Sequence, residues 1–152
     1  MNQASLTALI EHDNCMLHDM GHGHPECPDR IAITRSAINQ SPVNDRLIKY
    51  QADLATKEQL LLAHETDYVE MIFAAAPKEG QMILDADTSM NPHSLDATRL
   101  AAGAVCQGVD RILAGEIKRA FCLTRPPGHH AESDRAMGFC IFNAIAVGAL
   151  YA

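Results

Sequence analysis

The segment that most restricts the fold is residues 119–124, a predicted strand that contains four apolar residues in a row. A strand that is apolar on both faces is typical of a parallel sheet covered by helices on either side. The residues before it, 92–114, carry apolar residues at helical spacing and end at Gly115, a typical helix stop. A long helix that leads into such a strand predicts an α/β fold, with a parallel sheet covered by helices on both faces.

Other segments predict the same alternation of strands and helices. We expect strands at 5–11 and 47–52, and helices at 29–39, from the capping box 56–59, at 67–76, and at 92–114 after Asn91. Residues 80–89 are predicted to be loop with at most a short strand, and an apolar helix is predicted over 139–152. One stripe of the 92–114 helix is expected to pack on the sheet: Ala97, Ala101, Val105, Val109 and Ile112.

The chain length predicts one domain rather than two, since 152 residues suit a single core. The last predicted helix is still apolar at Ala152, with no C-cap and no following strand. We therefore expect residues 1–152 to be the N-terminal portion of a larger single domain. Such a portion leaves a sheet edge and a helix face uncovered, which predicts self-association.

Charge and cysteine content exclude several classes of protein. A formal net charge of −7 argues against direct nucleic-acid binding. No run of eighteen apolar residues and no basic region before an apolar run are present, so neither a membrane span nor a secretory signal is predicted. Five cysteines without a CxxC pattern then indicate reduced thiols in a cytoplasmic protein. A hydrolase that uses a catalytic Cys or His stays open as an alternative.

The segment that carries chemistry is residues 124–132, Thr-Arg-Pro-Pro-Gly-His-His-Ala-Glu. It follows a buried strand, and ligands of open α/β sheets bind at the carboxyl ends of the strands. Two prolines and a glycine restrict the backbone that carries His129 and His130. Histidine titrates near neutral pH, which suits a general acid–base. The alternative is a surface loop with two solvated histidines.

Three further groups of residues have both a functional and an ordinary interpretation. Gly138 could let a backbone carbonyl approach a ligand and Phe139 could wall a narrow apolar slot, or the two could be a helix-start glycine and a core side chain. Arg30, near a helix start, could guide a carboxylate or pair with Glu26 or Asp29. A histidine cluster could hold a metal ion, although no accompanying carboxylate or cysteine pattern supports it: His12, His18, His22 and His24.

Two motifs resemble the histone deacetylase family, including its bacterial histone deacetylase-like and acetylpolyamine amidohydrolases. They are Arg-Pro-Pro-Gly-His-His-Ala at 125–131, in the class II form, and Gly-Phe-Cys-x-Phe-Asn at 138–143. Weaker likenesses extend over most of the chain, at 24–30, 63–69, 85–88 and 92–114. The resemblance implies the arginase/deacetylase fold and hydrolysis of an acetyl-lysine or acetylpolyamine amide by metal-activated water.

The resemblance also implies roles for individual residues. His130 matches the general acid–base, and His129 matches the neighbour that steadies water and developing charge. Gly138 and Phe139 match the wall of the acyl tunnel, and Asp87 matches an acid at its rim that holds the substrate. Arg30 matches an arginine of the internal cavity through which acetate leaves.

The same resemblance implies Zn²⁺ in the complete enzyme, with its Asp-x-His and later Asp ligands and a transition-state tyrosine downstream of Ala152. No metal ligand is therefore expected within this chain, and the chain alone is expected to be inactive. The alternative is a naturally short, non-catalytic binding or assembly module of the same fold.

Overall fold

The structure, a computed structural model, describes residues 6–152. Three parallel strands form its main sheet: β1 (Thr7–Glu11), β2 (Leu47–Gln51) and β5 (Arg119–Leu123). β1 lies between β2 and β5, so that Ile10 faces Tyr50 on one side and Cys122 on the other. The predicted strand 5–11 is therefore confirmed from Thr7 onward, while Ser5 lies outside the described residues.

Helices cover both faces of this sheet. The helices are α1 (Asp29–Gln40), α2 (Lys57–Leu60), α3 (Thr66–Ala75), α4 (Ser94–Leu113) and α5 (Ala144–Tyr151). Successive residues of a strand point to opposite faces. Ile10 accordingly packs with Leu100 of α4 on one face, and Leu9 packs with Ile31 of α1 on the other. The predicted α/β class, a parallel sheet covered on both faces, is confirmed.

A second core lies beyond the sheet, where α3, α4 and α5 meet. It is formed by buried apolar residues that include Tyr68, Ile72, Ile141, Phe142 and Val147. α4 and α5 approach closely, because Gly148 leaves room for the Val105 side chain where a Cβ would overlap it. This core holds the start of α5 against the rest of the domain. Within residues 6–152, no helix has both the length and the apolar character needed to cross a bilayer.

The face of α4 that meets the sheet differs from the predicted stripe. Leu100 and Ala104 pack on the strands, and Gly108 lies near Ala120 of β5. Ile112 of the predicted stripe is instead 42% exposed. The helix also begins at Ser94 rather than directly after Asn91. Asn91 Oδ1 accepts from the His93 N–H (3.2 Å) in a turn that precedes the helix.

Two further predictions along the chain are wrong. Residues 80–89, predicted as loop with at most a short strand, include most of an antiparallel hairpin of β3 (Met82–Asp85) and β4 (Thr88–Met90). The predicted helix 139–152 begins only at Ala144, because residues 137–140 form a tight turn. Asn143 is the N-cap of α5, with its Oδ1 accepting from the Ala146 N–H at 2.9 Å.

Candidate active site

The His129–His130 loop begins where β5 ends. β1 and β5 are parallel, so their carboxyl ends meet at one edge of the sheet, and the loop extends from that edge. The loop passes close to the start of α5, where Gly128 O accepts from the Ile145 N–H at 3.0 Å. A Cβ at Gly128 would lie 2.6 Å from Ala144 N, so this close approach requires glycine. The sequence places a glycine where the backbone of the loop touches α5.

The two histidines share one support. The buried Cys140 Sγ accepts from the backbone N–H of both His129 and His130, at 3.4 Å each. The Cys140 thiol in turn donates to the Gly138 carbonyl at 3.3 Å. The two imidazole rings are 4.2 Å apart, centroid to centroid, and both residues are exposed in the described part of the chain. Cys140 thus fixes the backbone from which both rings project.

The turn under His130 has an unusual backbone. Met137 and Cys140 exchange two backbone hydrogen bonds, at 3.0 and 3.1 Å, and close a turn whose central residues are Gly138 and Phe139. Both central residues have positive φ, 58° and 68°, as in the hairpin turns of type I′. Positive φ is rare for a bulky residue such as Phe139 and marks a constrained site. The ordinary interpretation of Gly138 as a helix start is therefore wrong.

Phe139 is connected to the β3–β4 hairpin. Its N–H donates to the buried Thr88 Oγ1 at 3.0 Å, and the Thr88 hydroxyl donates to Asp87 Oδ1 at 3.0 Å. The His24 ring packs edge-on against the Phe139 ring, with centroids 4.7 Å apart. His24 Nδ1 accepts from the Glu26 N–H (3.1 Å), so Nε2 carries the proton and donates to Asp87 O at 3.1 Å. The structure thereby brings together the three residues predicted to contact substrate, Asp87, Gly138 and Phe139.

A buried ion pair lies behind the histidine loop. Arg125 is fully buried, and its Nε and Nη2 donate to Glu26 Oε1 (2.9 Å) and Oε2 (2.7 Å). Its Nη1 donates to the carbonyls of Cys15 (2.9 Å) and His18. Arg125 is not among the site residues predicted from the sequence. The available signal was an arginine directly after an apolar strand, at a position where a surface charge is not expected.

His18 belongs to the same buried cluster rather than to a metal site. Its Nδ1 lies 2.6 Å from Ser94 Oγ, and its Nε2 lies 3.6 Å from Glu26 Oε2. Burial, and secondarily the charge of Arg125, lower the pKa of His18 to about 3, so the ring is neutral at physiological pH. The histidine is therefore a structural member of the core below the site.

His64 and Asn143 support the far side of the loop. The Asn143 N–H donates to His64 Nε2 at 2.9 Å, and the Asn143 side-chain amide donates to Ala131 O at 2.8 Å. Burial lowers the pKa of His64, which favours the neutral ring that can accept this bond. One asparagine thus caps α5 and fixes the end of the histidine loop.

A cavity of about 530 Å³ lies beside His129. His129, Phe139, Arg30 and Glu26 contribute to its lining, together with apolar residues of α4 and α5. The Arg30 Nη2 donates to the Thr124 carbonyl at 2.8 Å and lies 3.8 Å from Glu26 Oε1, while 49% of its side chain stays exposed. Arg30 thus has the predicted partner Glu26, and it also presents a cation at the cavity.

The positions of the His, Cys, Asp and Glu side chains bear on whether this chain can hold a metal ion. Among residues 6–152, no group of three or more His, Cys, Asp or Glu side chains is arranged to hold a metal ion. His12, His18, His22 and His24 are accordingly not gathered into such a group in the described part of the chain. The His129–His130 pair likewise does not amount to a ligand set.

Comparison with known proteins supports the family resemblance of the motifs at 125–131 and 138–143. The family model described as "Histone deacetylase domain" matches residues 24–152. Histone deacetylase 5 of Arabidopsis thaliana is 34% identical over 99% of this chain and 24% of its own length. A histone deacetylase-like amidohydrolase of Pseudomonas aeruginosa is 40% identical over 82% of this chain and 33% of its own length.

The fold also matches a solved structure. The crystal structure of the HDA15 HD domain superimposes with a TM-score of 0.90 at 34% identity, over 98% of this chain and 43% of that one. The chain therefore spans about a quarter to a third of the two relatives named above and less than half of the solved domain.

Proposed function

This chain belongs to the histone deacetylase family, and on that premise we propose that it contributes the acid–base half of a site that hydrolyses an acetylated amine. The family supports a deacetylase or amidohydrolase activity. The observation that carries the proposal is the histidine pair itself. His129 and His130 extend from the carboxyl edge of a parallel sheet, on a backbone fixed by Cys140.

His130 is the general acid–base in this proposal. Its imidazole takes a proton from the water that attacks the amide carbonyl carbon. The same ring then gives that proton to the nitrogen of the leaving amine as the C–N bond breaks, so that acetate and a free amine are released. Histidine suits both transfers because its unperturbed pKa lies near the working pH. His129, whose ring centroid lies 4.2 Å away, steadies the water and the developing charge.

The substrate binds over the surface that the β3–β4 hairpin and the 137–140 turn form together, since the Phe139 N–H joins the turn to Thr88 of the hairpin. Phe139 supplies an apolar wall for the acyl-bearing chain, and the Gly138 backbone continues this wall under His130. Asp87 offers its carboxylate at the rim, where it accepts hydrogen bonds from the substrate. Arg30, half exposed at the cavity, receives the acetate product. Acetyl-lysine in a protein and an acetylated polyamine both fit this chemistry.

The resemblance also implies zinc, which supplies Lewis-acid activation of the amide when bound. Residues 6–152 do not bring together a ligand set for it. We therefore propose that its ligands belong to the rest of the domain and that the 152-residue chain alone does not hydrolyse acetyl-lysine. The steps assigned above concern only the proton transfers and contacts of this chain's own residues.

A non-catalytic binding or assembly module of the same fold is the second candidate. It is favoured by exposed apolar side chains on β5 and α5, namely Phe121, Ile145 and Leu150, at 49%, 62% and 60% exposure. The reading frame beyond Ala152 discriminates between the two candidates. An in-frame Asp-x-His followed by further α/β pattern supports the enzyme, whereas an immediate stop codon supports the module.

We further propose that the protein works in the cytoplasm on acetylated lysine or polyamine, without direct contact with nucleic acid. All five cysteines are free, which suits a reducing compartment. The negative net charge disfavours nucleic acid and suits cationic amines.

The test is an assay of acetate release from an acetyl-lysine peptide and from an acetylated polyamine. It compares the full-length gene product with the 152-residue chain, each with and without a zinc chelator. We expect hydrolysis by the full-length protein, its loss with chelator and its recovery with zinc. Failure of the zinc-loaded protein on both substrates would contradict the enzyme and favour the module. Alkylation of the thiols without loss of activity would exclude a catalytic cysteine.

A further inference from the structure

The Arg125–Glu26 pair is a connection between two loops rather than a local surface contact. Both side chains are buried, at 0% and 5% exposure, and they are 99 residues apart in the chain. The guanidinium and the carboxylate meet through two parallel hydrogen bonds of 2.9 and 2.7 Å, the geometry in which arginine is most directional. A third nitrogen, Nη1, binds the carbonyls of Cys15 and His18.

A contribution to the stability of the fold does not by itself explain why a buried ion pair is present here. The cost of removing both charges from water offsets much of their attraction, so well-packed apolar residues often serve equally well. The pair contributes orientation instead, because a planar guanidinium held by two hydrogen bonds fixes the direction of the backbone at Arg125. That residue begins the Pro-Pro-Gly segment that leads to His129.

Glu26 also lies within reach of a second cation. Its Oε1 is 3.8 Å from Arg30 Nη2, whereas Arg125 occupies the closer positions on both oxygens. Arg30 instead donates to the Thr124 carbonyl at 2.8 Å, one residue before Arg125. Occupation of Glu26 by Arg125 therefore leaves the Arg30 guanidinium available to the cavity.

We infer that Arg125 is a positioning residue of the site: through Glu26 it sets the His129–His130 backbone and keeps the half-exposed Arg30 side chain turned to the cavity for the acetate product. The inference rests on the proposed function, although its effect on the histidine backbone is measurable without any reaction. Displacement of a reacting group by about 1 Å costs on the order of 10²-fold in rate. The expected signature is thus a fall in kcat with KM little changed.

Two variants test this inference. Arg125→Lys keeps the positive charge but loses the two parallel N–H donors of the guanidinium. Glu26→Gln keeps the shape of the side chain but loses its negative charge. The matched control is Arg135→Lys, since Arg135 pairs with Glu132 (2.7 Å) near the same loop but is exposed. In the full-length protein we expect Arg125→Lys and Glu26→Gln each to lower kcat by about 10²-fold. The double variant should lose about as much as either single one, because the two act as a unit. Arg135→Lys should match wild type.

A second measurement is amide hydrogen exchange at His129 and His130, with the amides of β1 as an internal reference. In Arg125→Lys we expect at least about tenfold faster exchange at the two histidines and unchanged exchange in β1, as for a local opening. Wild-type kcat together with wild-type exchange would overturn the inference. An equal acceleration in β1 would also overturn it, because that indicates a role in overall stability alone.

The two measurements separate this inference from the proposed function. If the wild-type protein hydrolyses neither substrate, the proposed function fails and histidine exchange alone decides the positioning role. If Arg125→Lys does not fold, Glu26→Gln carries the same comparison, with the same outcomes for and against.

Discussion

The His130 side chain rests on Gly138: a Cβ placed on that glycine would lie 2.9 Å from Cβ, Cγ and Cδ2 of His130. The glycine also has φ of 58°, a conformation that side chains rarely adopt. Position 138 is therefore restricted twice, once by its own backbone and once by the ring above it. The orientation of His130 depends on the absence of a side chain at that position.

Gly138→Ala should displace the His130 ring and lower turnover by at least about tenfold, through loss of reacting geometry. Gly80→Ala is the matched control, because Gly80 has φ of 68° but nothing within 4 Å of its Cβ position. Both variants should lose roughly 1–2 kcal/mol of unfolding free energy from the left-handed backbone. Equal turnover in the two variants would contradict the contact with His130.

Cys140→Ala should destabilise the protein more than Cys106→Ala does. Both thiols are buried, at 0% and 1% exposure, but only that of Cys140 accepts the N–H groups of His129 and His130. Leaving a buried donor without a partner costs about 1–3 kcal/mol beyond the lost packing. Denaturant unfolding of the two variants measures the difference, and an equal loss would show that the Cys140 contacts contribute nothing.

Acid should destabilise the protein through His18. Its pKa falls from 6.5 to about 3 on folding, so the unfolded chain binds the proton more readily. Stability is then complete above pH 6.5 and falls as the pH drops toward 3, by up to about 1.4 kcal/mol per pH unit. His18→Asn should flatten this slope, leaving the smaller part that His64 contributes, whereas His22→Asn, at an exposed position, should not. Denaturant unfolding between pH 4 and 7 tests this, and identical slopes in all three proteins would refute it.

The 152-residue chain should self-associate through α5 and β5. Ile145 and Leu150 are 62% and 60% exposed on α5, and burial of each large side chain contributes roughly 1.5–3 kcal/mol. Ile145→Glu should shift the chain toward monomer in sedimentation velocity. Ile33→Glu, at 69% exposure on α1, is the control and should leave the distribution unchanged. A monomeric wild-type chain at high concentration would be evidence against this surface.

Local sequence signals predicted most elements of the fold. The apolar run at 119–124 indicated a covered parallel strand, and Gly115, with φ of 72°, follows α4 as expected for a helix stop. The capping box at Thr56 is formed as predicted, with Gln59 N–H donating to Thr56 Oγ1 at 3.2 Å. These features depend on residues a few positions apart in the chain, so the local sequence pattern is enough to predict them.

Features set by distant contacts were not predictable in this way. The 137–140 turn takes up the start of the helix predicted from 139, and it is held by a bond from Phe139 to Thr88, 51 residues away. The partner of Arg125 is likewise set by a distant contact, because Glu26 lies 99 residues away in the chain. The motifs identified the region of the site, while its supports became visible only in three dimensions.

The most direct test of the account is the turnover number of His130→Ala in the full-length protein, measured beside His129→Ala and the exposed control His22→Ala. With zinc content matched to wild type, His130→Ala should lose about 10²–10⁴-fold in turnover, the usual contribution of a general acid–base. Binding of a neutral inhibitor should change little, and His129→Ala should lose less. Unchanged turnover in His130→Ala at full zinc occupancy would contradict the assignment and leave two solvated histidines on a surface loop.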